Sequence, residues 1–147
     1  MKKECLVTII TPVYNGEKYL DRYIENIQRL AYEKLQVIVV NDGSTDGSAK
    51  KLKAISDQAN RFVFLNKIVN EGVSCVRNDA LDVAEGKYIF MFDCDDTFEP
   101  SIAGDCISCA KNDSDTVCYN YASVRKNGSL GGMSFLIKLG LFQETCV

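Results

Sequence analysis

Histidine is absent from the 147 residues. No imidazole can act as general base, as partner to a nucleophile or as metal ligand, so Ser-His-Asp triads, Cys-His proteases and His-zinc sites are excluded. Acid–base or metal chemistry must rest on carboxylates, thiols, Lys or Tyr. Also missing is any apolar run approaching the roughly 18 residues of a membrane-spanning helix. The start, Met1-Lys2-Lys3 and then an apolar stretch over 5–10, has some look of a signal peptide, but Glu4 intrudes, Pro12 follows and no small-residue cleavage site is present. It reads as a first strand. Basic residues are not in excess: 17 Lys and Arg face 20 Asp and Glu, a net charge of −3. That argues against a nucleic-acid backbone or an anionic membrane as the main partner. Internal repeats and Pro-rich or Ser-rich linkers are lacking too.

What is present is ordinary globular composition, 46% hydrophobic and 25% charged, in a length that suits one domain with a real core. Seven cysteines are an odd number without secretory context, which suits reduced thiols in a cytosol. Cys106 and Cys109 have metal-site spacing, but they fall in a helical segment and no second such pair exists. They are read as small buried hydrophobes.

Apolar runs of five to seven residues alternate with helical patterns. A β-prone run covers residues 5–11, and Pro12 is expected to end it. Asn15-Gly16 supplies a cap, after which Tyr19, Leu20, Tyr23, Ile24, Ile27 and Leu30 recur at helical spacing. A second strand spans 35–40. A helix with Ala49, Leu52, Ile55 and Ala59 on one face follows it. A third strand covers 62–65, and Val73, Val76, Ala80, Leu81 and Ala84 mark a third helix stopped by Gly86. The fourth strand, 88–92, runs straight into Asp93-Cys94-Asp95-Asp96. Past Pro100 a helix is expected over 101–111, a strand over 116–121, a turn over 126–129 and a short helix over 134–140. Strands apolar on both faces and separated by helices imply a parallel sheet covered on each side. The loops after strands one, two and four should then converge at its carboxyl edge, where ligands bind in such sheets.

Three polar clusters are candidates for chemistry at that edge. Asp93, Asp95 and Asp96 repel one another unless a cation neutralises them, and a hard divalent ion takes one or two carboxylates together with phosphate oxygens. Alternation along an extended segment puts Asp93 and Asp95 on one side and Cys94 on the other. Asn41-Asp42-Gly43-Ser44 is a tight turn with Gly43 at positive φ and Ser44 or Thr45 capping a helix whose dipole Asp46 complements. Alternatively, Asp42 accepts a base N–H or a ribose hydroxyl. Asn70-Glu71-Gly72-Val73 opens the third helix, whose backbone N–H groups could bind an anion while Arg77 clamps a diphosphate. The plainer reading of Arg77 is a surface residue on an amphipathic helix.

Together these stretches resemble family 2 glycosyltransferases, inverting enzymes of the GT-A fold. Thr8-Ile9-Ile10-Thr11-Pro12-Val13-Tyr14-Asn15-Gly16 is similar to the family's opening motif. Val39-Val40-Asn41-Asp42-Gly43-Ser44-Thr45-Asp46-Gly47-Ser48 is similar to its second motif, and Asn70-Glu71-Gly72-Val73-Ser74-Cys75-Val76-Arg77-Asn78 to its third. Asp93-Cys94-Asp95-Asp96 stands where its DxD motif follows a strand. Asn41 replaces the Asp found in many members, and Cys94 a frequent Ser.

The resemblance implies a Rossmann-like three-layer α/β/α fold with a mainly parallel sheet in the order 3-2-1-4. Residues 1–100 would bind the donor, and 101–147 would begin the acceptor-binding half. Pro12, Val13 and Tyr14 would line the base pocket with Asn15 beside them, and Asp42 would meet base or ribose. Gly72 and Arg77 would approach the diphosphate. Asp93 would contact ribose or sugar, with Cys94 next to it, and Asp95 would ligate Mn²⁺ or Mg²⁺ with Asp93 nearby. The implied partners are a nucleotide diphosphate sugar, UDP-linked by preference, and a saccharide or lipid-linked acceptor. Peripheral membrane association or a homo-oligomer belongs to the same expectation, with work at the cytoplasmic face of a membrane in polysaccharide synthesis. The family's acceptor-activating carboxylate is expected beyond Val147, and Glu144 is not assigned that role. The chain therefore reads as a donor-binding half, and a non-catalytic nucleotide-sugar-binding fragment is the alternative. The stretch 90–98 also resembles the haloacid dehalogenase phosphatase motif, with Asp93 as nucleophile and Asp95 as acid–base. That motif normally sits on a first strand, whereas three βα units precede it here.

Overall fold

The computed structural model describes residues 5–109, 120–124 and 130–135. Four strands, β1 (Val7–Val13), β2 (Leu35–Asp42), β3 (Phe62–Lys67) and β4 (Tyr88–Met91), form one parallel sheet in the order β3-β2-β1-β4. Helices α1 (Glu17–Arg29), α2 (Ser48–Ser56) and α3 (Val73–Leu81) connect them, and α4 (Ile102–Cys109) follows β4. The order and the parallel sense are those expected from the sequence. The chain steps from β1 to β2 to β3 in one direction, then returns past β1 to β4. Crossovers of one hand then place the first two helices on one face and the third on the other.

The core divides accordingly. Odd-numbered residues of β1 and β2 (Val7, Ile9, Val13, Leu35, Val37 and Val39) pack with Leu20, Tyr23 and Ile27 of α1, Leu52 of α2 and Ala103 of α4. Even-numbered Ile10, Ile38 and Val40 pack with Val76 and Ala80 of α3. β2 is buried at every position, as a central strand covered on both faces must be. Full burial of each such side chain contributes about 1.5–3 kcal/mol before entropy is counted.

Several boundaries differ from expectation. Pro12 does not end β1; the strand continues to Val13 and Pro12 pairs with Val40. Odd residues of β1 aim their backbone groups at β2, as in Val7 N–H to the Lys34 carbonyl, and even ones at β4, as in Phe92 N–H to the Ile10 carbonyl. Pro12 belongs to the even set, beyond the last β1–β4 pair, Ile10 with Met91. Its missing N–H therefore interrupts nothing. Helix α2 is preceded by Gly47, not capped by Ser44 or Thr45, because those side chains are engaged elsewhere. Helix α3 ends at Leu81, well before Gly86.

Two further strands, β5 (Asn120–Val124) and β6 (Leu130–Phe135), pair antiparallel. The strand expected over 116–121 thus runs later, and its first residues lie outside the described ones. The helix expected from Ser134 is corrected at its start, since Ser134 and Phe135 are extended and paired to Tyr121 and Asn120. Alternating cross-strand pairing overrides a weak helical pattern there. Residues 136–140 of that segment, and the turn expected over 126–129, lie outside the described residues. Cys106 is buried in the core, as read; the side chain of Cys109 lies outside the described residues.

Candidate active site at the carboxyl edge

The reversal of strand order between β1 and β4 opens a crevice at their carboxyl ends. A cleft of about 390 Å³ occupies it. From the β1 side it is lined by Pro12, Val13 and Tyr14, with Gly16 and Tyr19 at the start of α1. Asp42 lines it from β2, and Asn70, Gly72 and Val73 from the approach to α3. Asp93, Cys94 and Asp95 close it beyond β4. Loops from all four strands therefore meet there, the approach to α3 included.

Each loop is fixed by hydrogen bonds, most of them to residues far along the chain. Gly43 has φ 66°, and a Cβ there would lie 2.6 Å from the backbone nitrogen of Asn70, so only glycine lets the β2 turn lie against the β3–α3 loop. Asp42 is buried, and its two carboxylate oxygens accept the N–H groups of Glu71 (2.8 Å) and Gly72 (3.0 Å). Those bonds aim the start of α3 at the cleft. Lys67 holds the same loop through Glu71 and α3 through Asp79 (2.5 Å), and these carboxylates raise its pKa, Asp79 first.

Asn15 has φ 49°, a left-handed conformation that Asn tolerates. Its side-chain oxygen accepts from the Thr45 N–H (2.8 Å) and its own N–H donates to Ser44 Oγ (3.0 Å). It stitches two loops together and does not line the cleft. Asp46 accepts from Ser48 N–H (2.9 Å) and Glu17 N–H (3.1 Å), joining the starts of α2 and α1.

The acidic turn is arranged as alternation requires. Cys94 is buried in the core, while Asp93 and Asp95 are exposed at the cleft. Burial first, and then the Asp95 and Asp93 charges, push the Cys94 thiol up to about 11, so it stays protonated. The Asp96 carboxylate accepts the Asp93 N–H (3.1 Å) and folds back into the turn. Desolvation there raises its pKa against the pull of that hydrogen bond, and the Asp93 and Asp95 charges raise it further.

Arg77 does not line the cleft. Its Nη2 pairs with Asp93 Oδ1 at 3.1 Å, and its Nε is buried without a partner. Residues that sequence reasoning missed are Tyr19 and Arg22, the latter donating from Nη2 to the Asp95 carbonyl at 2.6 Å. Tyr19, in the first turn of α1, is signalled by its nearness to the β1 loop; Arg22 carries no local signal.

Among the described residues no three acidic or thiol side chains converge as a ready-made metal site. The donor set nevertheless fits a hard divalent ion brought in with phosphates: Asp95 lines the cleft, its carboxylate takes no part in the hydrogen bonds that close its turn, and Asp93 lines the cleft beside it. Such ions are commonly held by one or two carboxylates plus substrate oxygens.

A family model described as Glycosyl transferase family 2 matches residues 8–141. The glycosyltransferase GlyG of Streptococcus pneumoniae serotype 4 is 32% identical over 117 residues, covering 79% of this chain and 39% of its own length. Among solved structures, the mannosyltransferase PcManGT from Pyrobaculum calidifontis, in complex with GDP-Man and Mn²⁺, superposes with a TM-score of 0.71 at 22% identity, over 80% of this chain and 35% of that one. Staphylococcus aureus TarS 1–349 in complex with UDP-GlcNAc gives 0.69 at 26% identity, over 76% and 33%. The chain spans well under half the length of the curated relatives it matches.

Proposed function

Since the chain belongs to glycosyl transferase family 2, we propose that its carboxyl-edge cleft binds a nucleoside diphosphate sugar, UDP-linked by preference, for inverting transfer to a saccharide or lipid-linked acceptor. The observation that carries this reading is the composition of the cleft: an apolar and aromatic wall of Pro12, Val13, Tyr14 and Tyr19 shares it with Asp42 at the end of β2 and with Asp93 and Asp95 beyond β4. A flat base suits the wall, and a metal-bridged diphosphate suits Asp93 and Asp95. The UDP preference leans on the likeness to TarS with UDP-GlcNAc.

Asp42 keeps lone pairs beyond the two it gives to Glu71 and Gly72, and can accept a donor N–H from the base or a ribose hydroxyl. The start of α3 at Gly72 and the guanidinium of Arg77 present positive potential to the diphosphate. Asn15 supports the wall by fixing the loop after Tyr14. Cys94 anchors the acidic turn in the core, so that Asp93 reaches ribose or sugar and Asp95, with Asp93, holds Mn²⁺ or Mg²⁺. The metal, when bound, offsets the charge developing on the leaving diphosphate. Deprotonation of the acceptor hydroxyl is assigned to no side chain among the described residues. Polysaccharide synthesis at the inner face of a membrane is the setting we infer from the family resemblance. Among the described residues no helix is long and apolar enough to cross a membrane. The same acidic stretch lies inside the transferase family match, which favours this reading over a haloacid dehalogenase-like phosphatase.

A thermal-shift titration with UDP, GDP and TDP, each with and without Mn²⁺, tests the donor site. Ligand at about 100 times its dissociation constant adds roughly 2.7 kcal/mol of stability. The expected result is a metal-dependent shift with UDP that Asp95→Ala abolishes. No shift with any nucleotide would overturn the donor-site reading, and binding without sugar transfer would favour the non-catalytic fragment.

A further inference from the structure

Arg22 lies on α1, one position before Tyr23, which is fully buried and hydrogen-bonded to Thr11 at 2.7 Å. Leu20 and Ile27 seat the same helix in the core, so the backbone that carries Arg22 is firmly placed. Its side chain is exposed and reaches across 73 residues of sequence to the acidic turn. Three carboxylates are available in that turn. Among the described residues, however, Arg22 forms an ion pair with none of them; its Nη2 donates to the backbone carbonyl of Asp95 at 2.6 Å.

That choice of acceptor matters because of how the turn is held elsewhere. The Asp96 N–H donates to the Asp93 carbonyl and the Asp96 carboxylate accepts the Asp93 N–H, both at 3.1 Å. Phe92 and Phe98 stack with centroids 4.4 Å apart, and Cys94 packs beneath Gly16, where an added Cβ would lie 2.9 Å from its sulfur. These contacts close the turn and pin its ends. The Asp95 carbonyl and the Asp96 N–H share one peptide plane, so the hydrogen bond from Arg22 and the one to the Asp93 carbonyl hold that plane from its two edges, and with it the direction in which Asp95 leaves the backbone.

We propose that Arg22 is a positioning residue of the donor site, whose hold on the Asp95 carbonyl sets how the Asp95 carboxylate meets a metal–nucleotide complex. The inference rests on the donor-site reading above. Its sign separates it from simple electrostatics. A guanidinium beside Asp95 repels a divalent cation, so charge alone predicts that removing Arg22 tightens metal binding. Positioning predicts the reverse.

The test is calorimetric titration of UDP into the chain with and without Mn²⁺, for wild type, Arg22→Gln and Arg22→Lys, with a melting temperature for each. In Arg22→Gln the Mn²⁺-dependent gain in UDP affinity should fall about tenfold, the scale seen when groups that orient metal ligands are removed. Metal-free UDP affinity and melting temperature should stay at wild-type values. Arg22→Lys, which keeps the charge and one donor nitrogen but not the planar fork, should fall between. Tighter or unchanged Mn²⁺-dependent binding in Arg22→Gln overturns the proposal, as does an equal loss with and without metal accompanied by a lower melting temperature. If wild type shows no Mn²⁺-dependent UDP binding, the donor-site reading fails first and this inference falls with it.

Discussion

The two ends of the sheet use the same kinds of polar residue to opposite effect. At the amino edge, buried Thr8 donates from Oγ1 to Gln36 Oε1 at 2.6 Å and accepts the Gly86 N–H at 2.9 Å. Gln36 Oε1 also accepts the Glu85 N–H at 2.9 Å, and Gln36 Nε2 donates to the Val83 carbonyl at 3.2 Å. Every one of these groups is satisfied within the fold, and the network holds the α3–β4 connection against β1 and β2. At the carboxyl edge, Asn15, Asp42 and Asp46 order the loops. Asp95, however, lines the cleft with an exposed side chain, and Arg77 keeps a buried Nε without a partner. One end closes the protein; the other presents a water-exposed carboxylate and one buried unpaired N–H that a ligand can engage.

This contrast can be broken first at the closed end. A Cβ on Gly86 would fall within contact distance of the Thr8 backbone nitrogen, 2.6 Å from Thr8 Oγ1 and 2.9 Å from the Val7 carbonyl carbon. Backbone cannot move aside as a flexible side chain can, so Gly86→Ala should destabilise by about 3 kcal/mol in urea unfolding, the upper part of the overpacking range. Thr8→Val should follow at about 2 kcal/mol. It preserves shape but leaves the half-buried Gly86 N–H without an acceptor and takes from Gln36 Oε1 one of its two donors. Both variants, where folded, should bind UDP and Mn²⁺ as wild type does. Weakened binding in either would mean that the two ends are coupled through β1.

The same contrast governs how much was legible in the sequence. The four parallel strands announce themselves because burial on both faces forces unbroken apolar runs. Their polar ends mark the site because a strand cannot pass from Tyr88-Ile89-Phe90-Met91 into Asp93-Cys94-Asp95-Asp96 without leaving the core. Gly43 was readable from its turn chemistry. What stayed hidden depends on partners far along the chain. Pro12 sits within β1 because β4 stops short of it, and a propensity for ending strands carries no information about a neighbour's length. Asn15 suggested a cap, but its side chain is taken by Thr45, 30 residues away. Arg22 looks like any solvated position on an amphipathic helix; its target comes 73 residues later. The closing network at Thr8 and Gln36 was invisible for the same reason.

The smallest expected effect probes how the open edge is held without its ligand. Asp46 lies in the β2–α2 loop, and its carboxylate accepts one N–H from each of two helix starts. Burial works to raise its pKa, but the hydrogen bonds from Ser48 and Glu17 prevail and lower it from the ordinary 3.8. A carboxyl held lower in the folded chain than in the unfolded one adds stability that is fully present above the unfolded value. That stability drains away as pH falls through the folded value. Asn is a close mimic of the protonated acid, so Asp46→Asn should lose a fraction of a kcal/mol near neutral pH, in keeping with an exposed charge-assisted contact. The deficit should shrink below about pH 4 and vanish once wild type is itself protonated. Urea melts of both proteins at neutral and acid pH would read this directly. A deficit that persisted unchanged into acid would show that it comes from the amide replacing one of the two acceptor oxygens, and that the charge of Asp46 contributes nothing to holding the loops in place.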